Sequence, residues 1–359
     1  MKENITVLIV DDSAFMRKSL SIMLQSDPGI SVVATARNGQ EGFDLAKSLR
    51  PDIITLDVEM PVMDGLTALK KIMTECPTSV IMISSITTEG AQATLKALEL
   101  GAVDFVPKEL SYVSVSISNI KEDLITKVKE IARQRSLKDR LRRIRSSLPS
   151  ATPAKRFTGV IKDIPRFGHK VVAIGISTGG PFTLQKILPL ISDKINVPVF
   201  IVQHMPPKFT KSLAERLNGM CSLEVKEAED SEQVKPNVIY IAPGGFHMKV
   251  KSIGMKGIEI NISLEPNTTL HRPSVDVMMN SVIDVYGKST LGVIMTGMGK
   301  DGFEAIKNLK ALGGYSIAQD EESCVVYGMP KAIVDAGLAD LVLPAEKIPD
   351  LINKILQSA

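Results

Sequence analysis

Short apolar runs recur along the chain, each followed by a stretch whose apolar residues fall at helical spacing. In the first third the runs are ITVLIV (5–10), DIITL (52–56), SVIMI (79–83) and AVDFV (102–106). A second series starts beyond residue 170 with VVAIGI, VPVFIVQ, VIYIA, LGVIMT and YSIAQ. Helices are predicted between these later runs near 181–191, 207–218, 274–286 and 301–312. Fully apolar strands alternating with amphipathic helices predict parallel sheets built from β-α-β units. The segment HMKVKSIGMKGIEINISL breaks the rhythm with two alternating runs around SIGMKG, which predicts a β-hairpin. The fold class expected is therefore α/β: two domains, the second a doubly wound, mainly parallel, Rossmann-like sheet with one antiparallel excursion.

Between the two series the charge changes. Residues 121–170 hold 15 Lys and Arg against 5 Asp and Glu, so the rest of this +3 chain is net acidic. The first part of that stretch has helical spacing, and PSATPAKRFTGVIKDIPRFGHK then collects the residues of a linker. A solvated helix running into a linker explains the basic charge better than a nucleic-acid surface does. The boundaries expected are a first domain over 1–122, a helix and basic linker over 123–168, and a second domain over 169–359. At 359 residues there is room for two separate cores. No apolar run approaches the roughly 18 residues of a membrane helix, and ITVLIV followed by Asp11 and Asp12 reads as a strand rather than a signal peptide. The three cysteines, Cys76, Cys221 and Cys324, are scattered without a C-x-x-C pair. They fit reduced thiols in a cytoplasmic protein and no zinc site.

The first series places a functional group at the end of each strand: Asp11 and Asp12, Asp57, Ser84 and Lys108. Ligands of open parallel sheets gather at that edge. Crowded carboxylates repel one another unless a hard cation such as Mg²⁺ lies among them. One of them could then attack a phosphoryl group, with a lysine and a hydroxyl binding the phosphoryl oxygens. Any one acidic strand end can be a mere helix cap, but four strands converging on one chemistry outweigh that reading. VLIVDDS, ITLDVEMPVMDGL, MISS and GAVDFVPK together resemble the receiver domain of response regulators over about the first 120 residues. The resemblance implies a flavodoxin-like domain with a five-stranded parallel sheet. It further implies Asp57 as phosphoacceptor, Mg²⁺ held by Asp11, Asp12 and Asp57, Ser84 as switch hydroxyl, Lys108 as phosphate-binding lysine and Phe105 as switch aromatic. Many receivers have Pro after this lysine; here Glu109 follows it.

In the second series Ser177 ends VVAIGI within Gly175-Ile-Ser-Thr-Gly179, a G-x-S-x-G match. Glycines there allow a tight strand-to-helix turn that presents a serine Oγ beside open N–H groups. A helix cap or a phosphate-binding turn accounts for the motif equally well. Of the four histidines, His169 lies in the linker, His247 where the hairpin begins and His271 ahead of a helix. Only His204 directly ends an apolar strand on the Ser177 edge, where a base for the serine must lie. Asp301, on the glycine-rich turn TGMGKDG, can orient the imidazole or cap the following helix. The order Ser, His, Asp differs from the Ser, Asp/Glu, His order of α/β-hydrolases.

GISTGG, QHMPPKFT, IYIAPGG, HRPSVDVM, TGMGKDG and SCVVYGMP are similar to the catalytic domain of the chemotaxis protein-glutamate methylesterases. That resemblance implies a Ser177–His204–Asp301 triad with the Met298 backbone N–H as oxyanion donor. It implies hydrolysis of glutamate γ-methyl esters on methyl-accepting chemotaxis receptors, with deamidation of receptor glutamines in some members. A chemotaxis histidine kinase is the implied phosphodonor, and the unphosphorylated receiver is expected to restrain the catalytic domain by covering the Ser177 face. No metal is required for ester hydrolysis; Mg²⁺ belongs to the receiver. Two other classes compete: a DNA-binding regulator with a modest helix-turn-helix output, and a non-catalytic adaptor retaining the fold.

Overall fold

The computed structural model describes residues 4–108, 121–136 and 168–357. The chain forms two compact units, one on residues 1–132 with 205–213 and one on residues 133–204 with 214–359. Most of the expected linker, and Glu109, lie outside the described residues.

The first unit alternates β1 (Ile5–Val10), α1 (Ala14–Gln25), β2 (Ile30–Ala36), α2 (Gly39–Leu49), β3 (Ile53–Asp57), α3 (Gly65–Glu75), β4 (Ser79–Ser84), α4 (Thr88–Glu99) and β5 (Asp104–Pro107). All five strands run parallel in the order β2-β1-β3-β4-β5. Strand β3 is buried along its whole length, as a strand covered on both faces must be. Each of the first four helices opens on a side-chain cap, from Ser13, Asn38, Asp64 and Thr87. Helix α5 (121–136) buries Leu124, Val128 and Ile131. Its Lys127 pairs with Asp104 at 3.0 Å and donates to the Phe105 carbonyl, fixing the start of β5.

The second unit has a seven-stranded, wholly parallel sheet: β6 (Val171–Ile176), β7 (Val199–Gln203), β8 (Glu224–Glu227), β9 (Val238–Ile241), β12 (Thr290–Ile294), β13 (Tyr315–Gln319) and β14 (Leu341–Leu343). Their order is β14-β13-β12-β6-β7-β9-β8. The antiparallel excursion is a separate two-stranded sheet, β10 (His247–Ser252) on β11 (Ile258–Ser263), and not part of the main one. The helices are α6 (Gly180–Ile187), α7 (Phe209–Asn218), α8 (Val275–Tyr286), α9 (Phe303–Ala311), α10 (Met329–Asp335) and α11 (Ile348–Gln357). An α/β sheet of this size is not the small helix-turn-helix output of a DNA-binding regulator. Strand β6 lies at the reversal of strand order, with β7 on one side and β12 on the other. Such a switch point opens a crevice at the carboxyl ends of the strands.

Candidate active site

Ser177 follows β6, His204 follows β7, and Asp301 lies in the turn between β12 and α9. Three adjacent strand ends thus deliver the three groups to one crevice. The glycines explain how the chain fits. Gly179 stands at φ +76°, and a Cβ there would fall 2.4 Å from the Val325 side chain. A Cβ on Gly297 would fall 2.7 Å from Ser177 Cβ, so only glycine lets the β12 turn approach the serine this closely. Gln203 Nε2 donates to the Ser177 and His204 carbonyls, and Thr296 Oγ1 donates to the Thr178 carbonyl. The serine turn is therefore pinned from both neighbouring strands.

Ser177 Oγ lies 3.1 Å from His204 Nδ1, and His204 Nε2 lies 2.8 Å from Asp301 Oδ2. Because an ionised carboxylate only accepts, Nε2 carries the proton and Nδ1 is left to accept from the serine hydroxyl. Ser177 does not cap α6, whose N-terminus has no side-chain cap. Asp301 does not cap α9 either, which opens on Gly302 without a side-chain bond. It serves α8 instead, accepting from Ser274 Oγ (2.9 Å), Val275 N (2.7 Å) and Asp276 N (3.0 Å). Burial alone would raise the Asp301 pKa. The bond and charge of His204 and the N–H groups of α8 more than offset it and hold the carboxylate well below its usual range. Neighbouring Asp276 moves the other way, pushed up to about 6 by burial and by the charge of Asp301.

Two neighbours carry roles that their sequence positions did not signal. The His271 ring stacks on His204 with centroids 4.2 Å apart and planes 23° from parallel. Fully buried His247 accepts from Ser274 N through Nδ1 and donates from Nε2 to the Pro266 carbonyl, tying the hairpin to the start of α8. In the sequence only the spacing of HRPSVD before a helix hinted at this, and nothing in it named the partners. Among the described residues the Met298 N–H has no acceptor, which leaves it open to an oxyanion.

In the first unit the predicted set also meets. One carboxylate oxygen from each of Asp11, Asp12 and Asp57 lies within 4.8 Å of the others, a donor set that fits a hard cation. One Asp11 oxygen is buried without a hydrogen-bond partner. Lys108 Nζ reaches Asp57 at 2.6 Å and Asp11 at 3.4 Å. Burial, with Asp11 adding to it, pushes Asp57 up to about 6 against the pull of Lys108. Burial likewise raises Asp11. Ser84 Oγ donates to the Gly90 carbonyl at 3.1 Å, so the hydroxyl is bound to the α4 turn rather than to Asp57. Phe105 lies in β5, with Lys127 Nζ 5.8 Å from the centre of its ring.

Residues 172–352 match the CheB methylesterase family and residues 7–115 the response regulator receiver domain family. A protein-glutamate methylesterase/protein-glutamine glutaminase of Oleidesulfovibrio alaskensis is 50% identical, over 97% of this chain and 98% of its own. One of Pyrococcus abyssi is 45% identical, over 98% of this chain and 94% of its own. The crystal structure of the Thermotoga maritima CheB methylesterase catalytic domain superposes with a TM-score of 0.51 at 45% identity, over 53% of this chain and 100% of that one. A receiver followed by this Ser-His-Asp crevice, and full-length relatives at half identity, place the chain in the CheB methylesterase family.

Proposed function

We propose that the protein hydrolyses glutamate γ-methyl esters on methyl-accepting chemotaxis receptors, and deamidates receptor glutamines, under control of phosphorylation at Asp57. The observation that carries the reading is the continuous hydrogen-bonded line Ser177–His204–Asp301 at the ends of three adjacent strands. As Ser177 Oγ attacks the ester carbonyl, its proton passes to His204 Nδ1. Asp301, held by Ser274 Oγ and two α8 N–H groups, fixes the imidazole and faces the charge that forms on it. The Met298 N–H meets the oxyanion. His204 returns the proton to the departing methoxide, giving methanol and an acyl-enzyme. Water, deprotonated by His204, then releases the glutamate and restores the serine. A glutamine side chain follows the same course with ammonia as the leaving group.

Asp57 is the phosphoacceptor of this proposal, with a chemotaxis histidine kinase as donor. Asp11, Asp12 and Asp57 would hold Mg²⁺, which supplies charge neutralisation at the phosphoryl group. Lys108, already on Asp57, binds a phosphoryl oxygen, and Ser84 must leave Gly90 to do the same. Phe105 follows as the switch aromatic. The proposal places the protein in the cytoplasm; among the described residues no helix is long and apolar enough to cross a membrane. Methanol release from methylated receptor membranes, measured with and without acetyl phosphate, tests both halves. Serine-dependent release stimulated by the phosphodonor supports the reading, and no release from any methylated receptor overturns it.

A further inference from the structure

Arg272 is a cation without a counter-ion beside the catalytic residues. It is half-buried, and its buried Nε has no hydrogen-bond partner. No carboxylate pairs with its guanidinium among the described residues. The acidic groups of the site are already committed: Asp301 to His204, Ser274 and the α8 N–H groups, and Asp276 to the Ala305 N–H at 2.8 Å. Its place in the chain is fixed from three sides. His271, the residue before, stacks on the catalytic imidazole. Ser274, two residues on, holds the catalytic carboxylate. Its own carbonyl accepts from Gly245 N at 3.1 Å, anchoring it to the turn before the hairpin. The Arg272 charge is also felt by His247, whose pKa is lowered first by burial and then, through charge repulsion, by Arg272 and Lys249.

A partly desolvated guanidinium left unpaired is costly to the fold, and its fork of donors matches a carboxylate. Such a group, one residue from the ring that stacks on His204, points to an anion that arrives with the substrate. Resting on the esterase reading above, we propose that Arg272 is a substrate-recognition residue that binds a carboxylate side chain of the receptor segment close to the scissile ester. The protein thereby prefers glutamyl esters set in acidic sequence, and bare esters lack this contact.

The test uses the full-length protein with acetyl phosphate and two synthetic peptides. Each carries one glutamate γ-methyl ester, flanked within one helical turn by glutamate in one peptide and by glutamine in the other. Wild type should favour the acidic peptide by about tenfold or more in kcat/KM, chiefly through KM. Arg272→Met, which keeps the aliphatic stem, should lose that preference, chiefly through a higher KM for the acidic peptide. Arg272→Lys should keep part of the preference. A wild type that does not discriminate, or an Arg272→Met that slows both peptides equally, overturns the proposal. Ser177→Ala run in parallel separates the two readings: activity that survives it removes the esterase mechanism itself, whatever Arg272 does.

Discussion

Both units hold an aspartate at the carboxyl edge of a parallel sheet, and they treat it in opposite ways. Asp301 accepts from four donors, two of them backbone N–H groups of α8, and its pKa falls. Asp57 has Lys108 on one oxygen and a long 3.4 Å contact from Glu59 N on the other, and its pKa rises to about 6. The contrast fits the roles proposed for the two groups. A carboxylate that orients a histidine is best saturated with hydrogen bonds, because it need never react. One that attacks phosphorus needs open lone pairs, and a buried, under-bonded carboxylate keeps them at the expense of stability.

The largest effect tests the catalytic unit. Ser177→Ala should lower methyl-ester hydrolysis on the order of 10³-fold or more while leaving the melting temperature unchanged. Adding His204→Ala should cost little further, since the pair acts as one device. Steady-state methanol release measures both, and a residual rate within about tenfold of wild type removes Ser177 as nucleophile.

Asp301→Asn should come next, with activity down on the order of 10²–10⁴-fold through the wrong imidazole tautomer. It should also destabilise the protein by about 1–3 kcal/mol in denaturant titration, because a saturated acceptor is replaced by one that clashes with its donors. Asp57→Asn at the corresponding edge should leave the basal esterase rate unchanged. The comparison fails if Asp57→Asn slows the unstimulated enzyme as Asp301→Asn does.

A smaller change is expected from removing the receiver. A chain beginning at Pro165 should hydrolyse receptor esters faster than the resting full-length protein without any phosphodonor. Full-length Asp57→Asn should stay at the low basal rate when acetyl phosphate is added. A truncated chain slower than the resting protein rules out restraint by the receiver, and equal stimulation of wild type and Asp57→Asn rules out Asp57 as the switch.

The smallest effect is in stability against pH. The Asp57 pKa rises from 3.8 to about 6 in the folded state. The folded chain therefore binds more protons than the unfolded chain between about pH 4 and 6, and stability from this group falls as pH rises through that window. Above it the buried charge costs about 1–3 kcal/mol. Asp57→Asn should thus raise the midpoint of denaturation at pH 7.5, with the gain shrinking toward pH 4. Asp301, shifted downward, contributes the opposite sign: its stabilisation is complete above the unfolded pKa and is lost as pH falls further. A gain for Asp57→Asn that does not vary with pH would show that the carboxylate charge is not its source.

How much of this was legible in the chain divides along the range of the interactions. Apolar runs and the polar residues ending them are local, so the strand ends carrying Asp57, Lys108, Ser177, His204 and Asp301 could be read directly, as could the hairpin at 247–263. Strands β8 and β14 could not be read: Glu-Val-Lys-Glu at the sheet edge has one buried side chain, and the three residues of β14 are only half-buried. The glycines of G-x-S-x-G were visible, but what forbids a side chain there, Val325 against Gly179, lies almost 150 residues away. Separation along the chain also hid the second duty of Asp301, which the sequence placed before α9 and the fold turned toward α8. It hid the stacking of His271, the approach of His204 Nδ1 to Ser177 and the unpaired state of Arg272 as well. Residue type and strand position set which groups can reach the edge of a sheet. The order in which the strands lie side by side, with β6 between β7 and β12, sets which of them touch, because it depends on packing among segments far apart in the chain.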